Sequence, residues 1–517
     1  MAWGGHKYDA IVIGGDLNGL AAAAYLGRAS QRVLVLEPGD HLGGVAFTGE
    51  IMAGYSISTV AHLVEALPQG ILRDLKLTKH GLRYAARDIP TVALDRDGAH
   101  LVVPRNRKER AALALVHPKD GAAWRAFEAR IGAHIATLGP LLHAEASSAM
   151  SSLQRFIRRP QWNGADRLGD LMQLLPQSIG DLLDAEFEHP LLKGALAFDA
   201  VVGGIDGPCA PGTALRFLHR KAMRDLGRGL SIPAGGLGAV ADAFAAAVAA
   251  QRGEIRTGVR VLRILTEGSI VVGVETEGGG AIVAPLVVSS LDPRATMLEL
   301  LGAAHIETPL ARRLSALSRF GSVAKVNLAL EGVPEFRGLA PALRGARLLI
   351  SPSLETLDHA ATDFGQRQIA SDPVMEITIP SIADPALAPD GHHVMSVLVP
   401  YVPYDVEGGW PARRDELMQR VVRTLEQYSP DLANRLVAGE LLTPTDIEEQ
   451  FNLPGGDWHR GGMRPAELFD LHRRSARHAT PVAGLWLCGP GSHPGDGVTG
   501  LPGRDAAGVA VAGRRRR

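Results

Sequence analysis

Cysteine is nearly absent from this chain of 517 residues, which has only Cys209 and Cys488. The two lie far apart with no CxxC spacing, which argues against a disulfide framework or a cysteine zinc site and suits a reducing compartment. Long apolar runs are missing as well. No stretch of about 18 apolar residues occurs, so no transmembrane helix is expected. The first apolar run, Ala10 to Ile13, is too short for a signal-peptide core and turns straight into glycines. The expectation is a cytoplasmic protein, with peripheral membrane contact left open because apolar surface can be assembled from scattered segments. Neither sign of charge is in excess, at 54 Lys+Arg against 55 Asp+Glu, so no whole-molecule field favours nucleic acid. The one basic run, Arg514 to Arg517, reads as a solvated end.

Several catalytic signatures are also lacking. There is no HExxH, and His392 and His393, adjacent in a strand-like stretch, point to opposite faces, so no metal site is expected. No G-x-S-x-G elbow marks a hydrolase. Internal repeats and low-complexity segments are absent.

What is present begins with YDAIVIGGDLNGLAAAA. Residues 8 to 13 read as a buried strand and Leu17 to Ser30 as a helix. RVLVLE then reads as a second strand, ending in Glu37 about 20 residues after the glycine turn. This βαβ opening places an acid at a strand tip, where it can accept a ribose hydroxyl pair. The pair Gly43-Gly44 in HLGGVAFTGE lets the backbone run close to a ligand over the sheet edge. From about residue 105 to 195 the period is helical, which predicts a helical insertion. LSIPAGGLGAVADAFAAAVAAQRGEIRTGVRVLRI then repeats the opening grammar, with strands expected at 255 to 264, 270 to 276 and 282 to 290. VAKVNLAL, VMEITI and HHVMSVLVPY, with a long helix near 411 to 428, predict a second, mixed sheet. GLWLCG is a last short strand, followed by the loop PGSHPGDGVTGLPG and a small-residue helix.

These pieces in this order resemble the flavin-containing amine oxidase and phytoene desaturase superfamily, in its phytoene desaturase-like branch that includes the pyridine nucleotide-disulfide oxidoreductase domain 2 group. The strongest matches are IVIGGDLNGLAAAAYL, GYSISTVAH, PAGGLGAVADAFA with EIRTGVRVLRI, FNLPGGDWHRGGMRPAELF, and LCGPGSHPGDGVTGLPGRDAA. The resemblance implies an α/β fold: a Rossmann-like FAD-binding domain of glutathione-reductase type, a second mixed-sheet substrate domain and a helical insertion. The FAD-binding parts would be 1–75, 216–300 and 476–517, and the substrate and helical parts 76–215 and 301–475. It implies FAD contacts at Gly14, Gly15, Asp16, Gly19, Glu37, Gly43, Gly44, Val259, Asp496, Gly497 and Val498. Tyr55, His62, His459 and His493 would line an apolar tunnel for a hydrophobic small molecule. No catalytic side chain is assigned, because the cofactor carries the redox step.

Three positions depart from the pattern, each by gaining an acid. Asp16 takes the central glycine place of G-x-G-x-x-G, Asp496 a glycine place near the flavin, and Asp505 an asparagine place. Central glycine normally lets the backbone approach the pyrophosphate. Two unit charges about 4 Å apart repel by roughly 4 kcal/mol at an effective dielectric of about 20, against about 12 kcal/mol for nanomolar binding. The chain is therefore either an FAD-dependent oxidoreductase, or an FAD-free descendant acting as an isomerase, lyase, cyclase or binding protein.

Overall fold

The computed structural model describes residues 7–65, 67–143, 169, 172–227, 229–315, 321–458, 478–489, 492 and 498–515. The runs AIVI and VLVL are buried at every position, which is the pattern of strands covered on both faces. They form the centre of a five-stranded sheet ordered Leu485–Leu487, Val287–Ser289, Ala10–Ile13, Val33–Leu36, Glu254–Arg256. Every pairing in it is parallel.

Strand alternation sends Ala10, Val12, Val33 and Val35 to one side, against the helices Leu17–Arg28, Gly238–Ala250 and Leu501–Arg515. Ile11, Ile13, Leu34 and Leu36 go to the other side, against Val261, Ile264, Val271 and Val274 of a three-stranded antiparallel sheet. The expected strand at 255 to 264 is therefore two strands in different sheets. A turn at Gly258, φ +69°, divides Glu254–Arg256 from Val261–Glu267. The stretch at 282 to 290 divides likewise, into Gly280–Val283 and Val287–Ser289, around Pro285, which has no amide hydrogen to give a ladder.

The opening helix, Leu17–Arg28, ends two residues short of the predicted Ser30. Ala21 to Ala24 and Gly503 are small, and they let it lie close to the closing helix, Leu501–Arg515. A β-carbon at Gly503 would stand 2.0 Å from the Asn18 carbonyl oxygen and 2.8 Å from the Ala22 nitrogen.

The second sheet has seven strands, ordered Leu436–Leu442, Val323–Glu331, His392–Pro400, Met375–Thr378, Arg347–Ile350, Thr91–Leu94, His100–Val102. It is mixed, because Arg347–Ile350 runs parallel to Thr91–Leu94 while the other pairs are antiparallel. Period-2 alternation gives it two unlike faces. Ala324, Val326, Leu328, Met375, Ile377 and Val397 form an apolar face under the helix Trp410–Tyr428, through Leu417, Val421 and Leu425. The opposite face carries Lys325, Asn327, Ser396, Glu376, Thr378 and Arg347, all at most 2% exposed. At its ends Val323, Leu349 and Leu398 meet the helical layer of Pro190–Val201 and Thr213–Gly227. Among the described residues no helix is long and apolar enough to cross a membrane.

Replacing Gly503 with valine forces the opening and closing helices apart. Unfolding in urea, followed by circular dichroism, is expected to show a loss of about 1–3 kcal/mol and a lower midpoint.

Candidate functional site

The opening helix begins with its N-terminus at the tips of the parallel strands, where unsatisfied amides and the helix dipole favour an anion. The turn before it is made of backbone in close contact. Gly14 has φ +98°, and a β-carbon on Gly19 would lie 2.1 Å from the Gly14 carbonyl oxygen. Only glycine fits at both places. Gly43, at φ +105°, and Gly44, at φ +55°, bring the next loop alongside, where Gly43 N–H donates to the Gly15 carbonyl at 2.9 Å.

Glu37 sits at the tip of the second strand, as expected. Its carboxylate accepts from Gly15 N–H at 2.7 Å and Gly39 N–H at 2.9 Å. Val259 was expected to offer backbone hydrogen bonds to an adenine, but its amide donates to the Glu37 carbonyl at 2.9 Å. Val498 buries its side chain in the core beneath the helices, so only its backbone can face a ligand. Asp496, Gly497, His459 and His493 lie outside the described residues.

Asp16 occupies the N-cap of the opening helix with extended backbone, and its Oδ1 accepts from Gly19 N–H at 2.8 Å. Aspartate is among the strongest N-caps, so the acid serves its own helix at the end where an anion would be held. Burial pushes its carboxyl up to about 6, and the charge of Glu37 adds to the shift against the lowering by hydrogen bonds. The Cys488 thiol beneath is raised by burial and by Asp16.

The polar face of the second sheet holds a larger constellation that the sequence reading missed. The segment after the strand Tyr55–Ser58 crosses it: Lys325 Nζ donates to the Val60 carbonyl at 2.7 Å, and Asn327 Nδ2 to the Thr59 carbonyl at 3.1 Å. His62 lies 2.9 Å from Glu376 Oε1 through Nε2 and 3.0 Å from Ser396 Oγ through Nδ1. Arg347 Nη2 bridges Glu376 at 2.5 Å and Asp199 at 2.8 Å. Arg224 joins Asp199 to Glu65, and Arg220 also pairs with Glu65. Three guanidinium groups thus meet three carboxylates, and the cluster is neutral. Burial works against the charge of Glu376, but Arg347 and His62 together hold it well below the usual carboxylate range.

Burial lowers His62 to about 4, with Lys325 adding to the effect. A neutral ring next to an ionised Glu376 donates from Nε2 and accepts from Ser396 at Nδ1. Both nitrogens are therefore engaged inside the protein. Tyr55, also expected at the tunnel, instead lies at 2.6 Å from His392 Nδ1 and packs on Leu387 and Val394. His393 bonds Ser381, so the two adjacent histidines do serve opposite sides. Among the described residues no cluster suited to a metal occurs. Lys325, the one buried lysine among them, is lowered by burial to about 7, although Glu376 and Glu440 oppose the shift.

A parallel sheet with a helix N-terminus, a glycine cradle and a tip acid defines the dinucleotide-binding α/β class, here joined to a mixed sheet with a buried polar face. Residues 17–495 match the family described as flavin containing amine oxidoreductase, and the chain belongs to that family. It is 32% identical to the Rattus norvegicus pyridine nucleotide-disulfide oxidoreductase domain-containing protein 2, over 97% of this chain and 93% of that protein. It is 27% identical to the neurosporene-forming phytoene desaturase of Cereibacter sphaeroides, over 96% of this chain and 92% of that protein. Its fold is similar to that of an oxidoreductase from Methanosarcina mazei, at TM-score 0.62 and 17% identity, covering 98% of this chain and 100% of that one.

The buried charges make two stability effects measurable. Arg347→Met leaves Glu376 buried without its guanidinium and Asp199 with Arg224 alone, and urea unfolding is expected to show a loss of about 3–5 kcal/mol. For Lys325, the folded value near 7 lies below the ordinary 10.5. Between these values only the unfolded chain holds the proton, so raising the pH favours the folded state, by at most about 1.4 kcal/mol per unit. Lys325→Met should remove this slope, and unfolding at a series of pH values from 6 to about 10 measures it.

Proposed function

We propose that this chain is an FAD-dependent oxidoreductase of desaturase, dehydrogenase or oxidase type, acting on a hydrophobic small molecule. The observation that carries the cofactor half of the reading is the glycine cradle. Gly14, Gly19, Gly43 and Gly44 hold backbone so closely against its neighbours that a β-carbon at each would crowd them, and the opening helix starts beside this turn. The residues fit the adenosine half of FAD as they stand, with Glu37 for the ribose hydroxyls. They fit the diphosphate with Asp16 uncharged. A relative named for desaturating phytoene supports a hydrophobic substrate.

Bound FAD supplies the two-electron acceptor. The chain's own residues then have to position the substrate, exclude water and manage one proton. Lys325 suits the last task. It is buried, held in place by the Val60 carbonyl, and its proton affinity near neutrality lets it accept or release a proton without a large driving force. The neutral ion cluster next to it fixes the sheet and the segment 59–65 against each other, so the amine is presented from a rigid surface.

A second reading, an FAD-free descendant that uses the fold for proton transfer or binding, is favoured by the carboxylate at the head of the opening helix. The two differ in colour. Purified protein, supplied with FAD at acidic and neutral pH, should show flavin bands near about 370 and 450 nm. Protein that stays colourless throughout supports the FAD-free reading and rejects the oxidoreductase. For flavin-loaded protein, Lys325→Met should keep the bands while anaerobic reduction by a hydrophobic substrate slows by about 10²-fold or more. An unchanged rate removes Lys325 from the chemistry.

A further inference from the structure

We propose that Asp16 couples cofactor occupancy to a proton: the chain takes up FAD with the Asp16 carboxyl protonated, and its affinity falls as the carboxylate becomes charged. This coupling rests on the flavoprotein reading and gives it a pH dependence.

The geometry comes first. The Asp16 carboxylate stands at the end of the opening helix and already holds the Gly19 amide at 2.8 Å, so it occupies the seat that the helix offers to an anion. Its surroundings leave it little room to withdraw. Its backbone bridges to Gly43, and a β-carbon on Gly44 would lie only 3.1 Å from Asp16 Cβ. A diphosphate brought into this groove meets either a like charge in place or a helix that has lost its cap.

Protonation removes the conflict. A neutral carboxyl carries one O–H donor, which can turn to a phosphate oxygen, and the Gly19 amide is no longer claimed by a competing anion. Where the free carboxylate is charged, one proton enters from solvent with each FAD, and no bond is made or broken beyond that transfer.

Among the described residues the neighbours supply no counter-charge. Glu37, at the tip of the strand Val33–Leu36, is the charged group that faces Asp16. Ser290 follows the strand Val287–Ser289 and offers a hydroxyl, and Asn18, on the opening helix itself, offers its amide. Cys488, after the strand Leu485–Leu487, offers a neutral thiol. Among the described residues Asp16 forms no ion pair. Burial places the carboxyl at about 6, so the transition falls close to neutral pH. Below it the carboxyl is already neutral and affinity is level. Above it the neutral form becomes about tenfold rarer per pH unit, and affinity falls in step.

The test uses the full chain, stripped of bound flavin, as the wild type and as Asp16→Asn. Asparagine caps a helix about as well as aspartate, so it keeps the local structure and removes only the titration; matching melting curves confirm that the variant folds. FAD is titrated from pH 5.5 to 8.5 by quenching of flavin fluorescence. Calorimetry in two buffers of different ionisation enthalpy counts the protons taken up. The wild type is expected to weaken by about 50-fold between pH 6 and 8 and to take up about one proton per FAD at pH 8. Asp16→Asn is expected to bind with a level profile and to exceed the wild type at pH 8 by about 100-fold. Equal slopes in the two proteins, or FAD bound by the wild type without proton uptake, overturn the proton coupling and leave the flavoprotein reading standing. No FAD bound by either protein at any pH overturns the flavoprotein reading and this proposal with it.

Discussion

One hydrogen bond governs the nucleotide groove, the bond from Gly19 N–H to the Asp16 carboxylate. A helix start leaves amides without partners, and a dinucleotide fold ordinarily reserves them for a ligand. Here the chain provides its own acceptor. The cap stabilises the helix that the parallel sheet is built around, so the same contact that secures the fold contests the site the fold presents. Glu37 behaves in a similar way, since backbone amides of Gly15 and Gly39 hold its two oxygens. The groove is shaped for a nucleotide and internally satisfied at once.

The second sheet solves a different problem. Burying six ionised groups is expensive unless each finds a partner, and the cluster achieves this by drawing on separate parts of the chain. Glu65 comes from the N-terminal segment, Asp199, Arg220 and Arg224 from the helical layer, and Arg347 and Glu376 from the sheet. Such a cluster contributes less to net stability than to uniqueness, because only one arrangement of the three parts pairs every charge. It also sets the electrostatics around Lys325 and His62: burial beside an assembly that is already balanced leaves His62 neutral and brings Lys325 down to about 7.

The parallel sheet was legible because its strands are continuous apolar runs punctuated by glycine, a pattern that local physics nearly dictates. The two divided strands, at 254–267 and 280–289, were misread because an extended stretch looks the same whichever sheet it joins; only tertiary pairing reveals the change. In the site, Gly14, Gly19 and Glu37 followed from the spacing. Asp16 was read only as an acid in a glycine place, although an acid directly before an alanine-rich helix is also the signal of an N-cap. The polar cluster was invisible for another reason. Asp199, Arg347 and Glu376 are single charges in apolar surroundings, far apart in sequence. A charge of that kind on the inward register of a strand, as with Lys325 in VAKVNLAL, was the one available sign.

The parallel sheet is assembled from distant stretches, with Leu485–Leu487 hydrogen-bonded to Val287–Ser289 and that strand in turn to Ala10–Ile13. During synthesis, the early strands therefore wait for a partner that lies far downstream in the chain. Until it arrives, Val287–Ser289 presents an open edge of the kind that recruits foreign strands, and non-local closure of this sort is slow. The nascent polypeptide is thus exposed to misassociation from the time Val287–Ser289 is made until Leu485–Leu487 pairs with it.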